Sequence, residues 1–187
     1  PDESELLVGG ERFLIAVGTA PFRPDDIPFD DDIVLDSDVL IEKPRVPRSL
    51  VVIGAGVIGI EYATIFSALD VAVTLIEPRE TFLDFIDREV IEEFIHQLRD
   101  RNMIIRLGAK VTQISKDESG RVVTTLEDGR SIRSEMLLFA AGRVGATARL
   151  GLEACGLSVD NRGRLKVDPK TFQTDVPHIY AAGDVIG

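Results

Sequence analysis

A single cysteine, Cys155, stands in the 187 residues of this chain, so no internal disulfide can form and the sequence fits a reducing compartment such as the cytoplasm. The run Leu150 to Leu157 around it is apolar and supplies no charge that would stabilise a thiolate, which marks Cys155 as a small packed residue rather than a reactive one. Histidine is equally scarce. His96 and His178 have no carboxylate or cysteine at ligand spacing, so both are assigned structural roles and no metal site is expected. No Ser-His-Asp or Cys-His grouping can be read, and no side chain is expected to be catalytic. No apolar run approaches the ~20 residues needed to span a bilayer, and no basic stretch with an apolar core opens the chain. Positive charge is also short, 21 Lys and Arg against 32 Asp and Glu for a net charge of -11. That balance excludes nucleic acid and anionic membrane as partners held by bulk electrostatics. Any phosphate bound here must be held locally.

What remains reads as an α/β domain. Ser49 to Ile53 is a continuous apolar run of the kind buried on both faces of a parallel sheet. After a turn of glycines, Ile58, Tyr62, Ile65, Phe66 and Leu69 recur at helical spacing over Val57 to Leu69, and Val71 to Ile76 follows as a second strand. Strand, helix and strand in about 30 residues make a βαβ unit. Asp87 to Arg101 predicts a second helix with the stripe Val90, Ile91, Phe94, Ile95 and Leu98 and acidic residues in its first turn. Met103 to Arg106 is a third strand. Lys110 to Ser115, Arg121 to Leu126 and Ser131 to Ile132 alternate across short turns and predict a three-stranded antiparallel meander, after which Met136 to Ala140 returns as a buried strand.

The ends are less regular. Leu6-Leu7-Val8, Gly9-Gly10 and Glu11 to Val17 predict a hairpin across a Gly-Gly turn. From Pro21 to Pro47 the density of Pro and Asp argues for an extended connection, with one short helix after Ser37-Asp38 as its cap. These signals divide the chain into 1–45, 46–145 and 146–187.

The stretch Gly54-Ala55-Gly56-Val57-Ile58-Gly59 lies directly after a buried strand and directly before a helix, the context in which a GxGxxG pattern carries meaning. Gly54 permits the tight turn, Gly56 lets backbone approach a pyrophosphate, and Gly59 allows close packing of helix on strand. The phosphates would then rest on free N–H groups at the positive end of the helix, with no Lys or Arg needed. Glu77 ends the second strand at about the 20-residue offset of an acid that hydrogen-bonds an adenosine ribose 2′-hydroxyl. A carboxylate there repels the 2′-phosphate of NADP, so the expected ligand is NAD(H). Arg79 would soften that preference by turning inward, against the plainer reading of a solvated charge. Glu61, on the first helical turn, needs no explanation beyond the helix dipole.

Four motifs in order make the chain resemble the flavoprotein pyridine nucleotide-disulfide oxidoreductases. Ile15 to Pro21 looks like that family's crossover from an FAD domain to an NAD domain, Gly54 to Glu61 matches GxGxxGxE, Ala140 to Arg143 matches the return crossover, and Thr174 to Asp184 matches the second FAD motif. The resemblance implies a Rossmann-like NAD(P)-binding domain of the FAD/NAD-linked reductase type. It also implies roles for single residues: Glu61 near the nicotinamide carboxamide, Val111 near the adenine, Gly142 near the nicotinamide ribose, and Gly18, Gly183 and Asp184 on the FAD, with Val57 and Ile58 of the turn among the residues that bind NAD. The FAD glycine turn, the CxxxxC redox pair and the dimerisation domain of the family are absent, so the chain resembles an NAD domain flanked by FAD-domain segments. It is expected to hold no FAD by itself, its partners being the dinucleotide and the rest of a homo-oligomeric parent polypeptide. Arg143-Val144-Gly145-Ala146-Thr147 resembles the soluble transhydrogenase group, which must also accept NADPH, whereas Glu77 resembles the NAD-specific dihydrolipoamide dehydrogenases.

Overall fold

The computed structural model describes residues 6–187. In chain order its elements are β1 (Phe13–Ile15), β2 (Thr19–Pro21), β3 (Val34–Leu35), α1 (Ser37–Leu40), β4 (Ser49–Ile53), α2 (Val57–Ala68), β5 (Ala72–Glu77), α3 (Arg88–Asp100), β6 (Ile104–Leu107), β7 (Val111–Lys116), β8 (Val122–Leu126), β9 (Ser131–Ser134), β10 (Met136–Phe139), β11 (Arg143–Gly145) and β12 (Ile179–Ala181), with 3-10 turns at Leu152–Cys155 and Asp184–Ile186. The chain separates into two compact units, residues 21–142 and residues 6–20 with 143–187.

The larger unit is built on a five-stranded sheet in the order β3-β10-β4-β5-β6, every pair of which is parallel. Successive side chains of a strand point to opposite faces, and the apolar runs of these strands therefore feed two cores. Leu35, Leu50, Val52, Leu75 and Leu138 pack with Ile60, Ala63, Ile91 and Leu98 of the helices. Their neighbours Val34, Val51, Ile53, Ile76 and Leu137 pack on the opposite face with Ile114, Val122 and Leu126. The latter three come from the antiparallel sheet β7-β8-β9, the meander foreseen in the sequence. A strand covered on both faces has no polar side to expose, which is why the runs are unbroken.

Helix α2 buries Gly59, Ile60, Ala63 and Ser67, while Ile65 and Leu69 are exposed and Tyr62 and Phe66 half-buried. Of the predicted stripe Tyr62 and Phe66 pack against the core and Ile65 and Leu69 do not; beside Ile60 the helix also approaches the sheet through the small residues Gly59 and Ala63. Helix α3 follows the expected stripe more faithfully, with Ile91 and Leu98 buried, although Val90 is exposed. The segment 21–47 is not simply an extended connection. It contributes the fully buried edge strand β3 and the short helix α1, whose cap is Asp36 accepting from the N–H groups of Asp38 and Val39.

In the smaller unit β1 pairs in parallel with β12, Phe13 opposite Ile179 and Ile15 opposite Ala181, and β11 lies beside β2. The Gly-Gly hairpin does not form: residues 6–12 carry no strand, Leu6, Leu7 and Val8 are exposed, and the partner of β1 comes from the far end of the sequence. Leu152, Leu157, Leu165, Ile179, Ala181 and Val185 make a separate small core. Cys155 is not part of it. The thiol is exposed and donates to the carbonyl of Leu152 at 3.1 Å, because the 3-10 turn directs Leu152 inward and leaves the last residue outside. No helix among the described residues is long and apolar enough to cross a membrane.

Candidate functional site

Strand β4 runs into the glycine turn without a break, since the Gly54 N–H still donates to the Ile76 carbonyl at 2.9 Å. Gly54 has φ +100°, in the region that side-chain-bearing residues avoid, and a Cβ there would stand 2.7 Å from the Ala140 oxygen. A Cβ on Gly59 would stand 1.9 Å from the Gly54 oxygen, so helix and strand approach through that position. Gly56 differs from both. Its φ is -73° and an added Cβ would meet nothing within 4 Å. The protein's own packing therefore requires Gly54 and Gly59 to be glycine and leaves Gly56 facing open space.

Gly56 is also the N-cap of α2, and no side chain caps it. The first N–H groups of any helix lack partners inside the helix. In α1 and α3 Asp36 and Asp87 supply that partner; α2 presents its donors and the positive end of its dipole to the space before Gly56. Donors, dipole and a missing side chain together fit an anionic group brought close to backbone.

Glu77 closes β5 and is buried, with 4% of its side chain exposed. One carboxylate oxygen accepts the Ala55 N–H at 2.8 Å, tying the acid to the glycine turn. The other accepts the Arg79 N–H at 3.1 Å and the Arg79 Nε at 2.8 Å, and Arg79 Nη2 reaches the first oxygen at 3.3 Å. Burial pushes this carboxyl up, but the hydrogen bonds from Arg79 and Ala55 outweigh it, so its pKa lies below the ordinary carboxylate value. Neither residue is a freely solvated charge. Arg79, half-exposed, is bound to the acid it follows.

Below the turn, at the C-terminal ends of β4, β5 and β10, lies a cavity of about 420 Å³ whose walls include Ile53, Ile76, Pro78, Val111, Phe139 and Ala141. This is the edge at which open parallel sheets present their ligand crevices. Val111 thus shares a cavity with the strand that leads into the glycine turn. Gly142 follows β10 with φ +130° and nothing within 4 Å of an added Cβ, and its carbonyl accepts the Phe22 N–H. Val57 and Glu61 are exposed on α2 and Ile58 is half-buried. In the other unit the parallel pairing of β1 and β12 makes both strands exit at one end, where Gly18 follows the first and Gly183 and Asp184 follow the second. Ala55 and Ala140, which hold Glu77 and crowd Gly54, carry no chemical signal in the sequence. No cluster of metal-ligating side chains occurs among the described residues.

The model of the pyridine nucleotide-disulphide oxidoreductase family matches residues 2–187. The chain is 48% identical over 180 residues to a soluble pyridine nucleotide transhydrogenase of Mycobacterium bovis, covering 96% of this chain and 38% of that one. It is 43% identical to the soluble pyridine nucleotide transhydrogenase of Colwellia psychrerythraea, covering 100% and 40%. Among solved structures it resembles the HOCl-induced flavoprotein disulfide reductase RclA of Escherichia coli, in its Cu(II) complex, with TM-score 0.90, 33% identity and coverage of 99% and 42%. LpdA of Mycobacterium tuberculosis matches with TM-score 0.84, 28% identity and coverage of 93% and 38%. The chain therefore spans well under half the length of these relatives.

Proposed function

We propose, for a chain that belongs to the pyridine nucleotide-disulphide oxidoreductase family, that the turn Gly54 to Gly59 binds the pyrophosphate of NAD(H). The observation that carries this is Gly56: an unstrained residue with open space before it, at the one uncapped N-terminus among the three described helices. Glycine serves adequately as an N-cap, and here, with no side-chain cap and open space before it, it also leaves room for a ligand to come within van der Waals distance of the backbone. Val57 and Ile58 would offer N–H groups to the phosphates, Glu77 would accept from the adenosine ribose, and the cavity lined by Val111 would take apolar surface of the adenosine. Gly142 and Glu61 would border the nicotinamide half.

The nicotinamide would supply a hydride donor and acceptor, and the protein would supply binding and orientation. In the whole protein we assign Gly18, Gly183 and Asp184 to FAD, and the activity to transfer of hydride from NADPH to NAD through that flavin. This rests on the transhydrogenase relatives and on the pattern Arg143 to Thr147. Dihydrolipoamide dehydrogenase or a related disulfide reductase is the competing activity, favoured by the buried acid Glu77.

Calorimetric titration of the chain tests the binding. NADH should bind saturably and more tightly than NADPH; absence of heat with either nucleotide would remove the assignment of the turn.

A further inference from the structure

We infer that Arg23 is a positioning residue for the nucleotide, a clasp that keeps Pro24 to Ile27 in place as one wall of the cavity below the glycine turn. This rests on the dinucleotide reading of that turn given above. Pro24, Asp26 and Ile27 line the cavity together with Val111 and Phe139, yet they belong to the stretch between β2 and β3 that forms neither strand nor helix. Its backbone closes only small turns, from the Ile27 N–H to the Pro24 carbonyl at 3.2 Å and from the Phe29 N–H to the Ile27 carbonyl at 2.9 Å. Such turns fix the shape of the stretch but not its place.

Arg23 stands directly before this wall. Its Nε donates to Asp36 at 2.5 Å and its Nη2 to Asp31 at 2.6 Å, while the guanidinium lies 4.8 Å from the centre of the Phe29 ring. Phe29 in turn meets Phe139, a residue of the cavity, edge to face at 5.8 Å. One planar fork thus joins the start of the stretch to its end and rests on the ring that packs against the cavity. Asp36 is a fixed post, since it is buried and caps α1. The clasp is poorly placed to serve folding. The side chains of Arg23 and Asp31 are 36% and 55% exposed, and exposed pairs contribute little to stability; Asp36 keeps its two backbone donors without Arg23. What the clasp sets is the fraction of molecules in which the wall stands ready, and the apparent dissociation constant rises as that fraction falls.

The test is amide NMR titration of the full chain and of its Arg23→Gln, Arg23→Lys and Asp31→Asn variants with two probes, ADP and inorganic pyrophosphate, of which only ADP carries the adenosine that reaches the wall. Arg23→Gln is expected to weaken ADP by about tenfold, the scale of losing a charge-assisted hydrogen bond, and to leave pyrophosphate within about twofold. Arg23→Lys, which keeps the charge but not the fork, and Asp31→Asn, which frees one arm and leaves Asp36 paired, should each fall between the unaltered chain and Arg23→Gln. An unchanged ADP affinity in Arg23→Gln would overturn the clasp. Equal losses for ADP and pyrophosphate would overturn it too, because the substitution would then have disturbed the fold or the turn and not the wall. Both probes are read on the unaltered chain in the same series, so failure of the underlying dinucleotide site is seen separately as absence of binding there, and it would remove the turn and the clasp together.

Discussion

Replacing Gly56 and Gly59 separately should split function from folding within one turn. Gly59 lies in the first turn of α2, where Gly→Ala ordinarily stabilises a helix by about 1 kcal/mol. The added methyl would fall 1.9 Å from the Gly54 oxygen, a backbone atom that cannot turn aside. Overpacking of this kind costs about 1–3 kcal/mol, which offsets or exceeds the helix gain, and helix and strand must separate to relieve it. Gly59→Ala is therefore expected to lower the unfolding midpoint. A Cβ added at Gly56 meets no atom within 4 Å and the φ of -73° suits any residue, so Gly56→Val is expected to cost only what a poorer N-cap costs, about 1 kcal/mol or less. For a chain of this size that is a shift of about 2–4 °C. Its effect on NADH should be far larger, at least about a hundredfold or 2.7 kcal/mol, because the side chain fills the space through which the pyrophosphate reaches the N–H groups. Thermal unfolding followed by circular dichroism, with NADH titration of each variant, measures both quantities. Wild-type affinity in Gly56→Val, or a Gly59→Ala protein more stable than the parent, would refute the division of roles.

Two further outcomes follow from single side chains. Glu77 is held below its ordinary pKa of 4.5. The stability it contributes is complete above that value and is lost as pH falls through its lower folded-state pKa. Denaturant midpoints should therefore fall more steeply with acid in the parent than in Glu77→Gln, and parallel profiles would contradict the buried hydrogen-bonded carboxylate. Cys155 is exposed, so an aromatic disulfide reagent should label one thiol per chain under native conditions; labelling only after unfolding would place it in a core.

Where the sequence was legible, the governing interactions were local or periodic. The β4-turn-α2 segment, the amphipathic α3 and the alternating strands of the meander each carry their pattern within a dozen residues. The glycine turn and the offset of Glu77 were readable for the same reason. Helix α2 is legible only in part: Tyr62 and Phe66 of the apolar stripe pack against the core, but Gly59, Ala63 and Ser67 are buried too, and a search for large apolar residues passes over small ones. Leu6 to Val17 looked like a hairpin because the true partner of β1, Ile179–Ala181, lies at the other end of the chain. Strand β3 is two residues long and sits among prolines and aspartates, so its burial comes from β10 and not from its own composition. Apolar neighbours suggested burial for Cys155, and a turn of 3-10 helix decided otherwise. At the site, the bond from Ala55 to Glu77 and the fork of Arg79 depend on rotamers and on the approach of two strands, which spacing alone does not contain.

The central claim, that the uncapped start of α2 receives a pyrophosphate, is tested most directly by amide NMR of the ¹⁵N-labelled chain during titration with NADH. The account predicts saturable shifts centred on the amides of Gly56, Val57, Ile58 and Gly59. Saturable binding that leaves these four amides unmoved would contradict it.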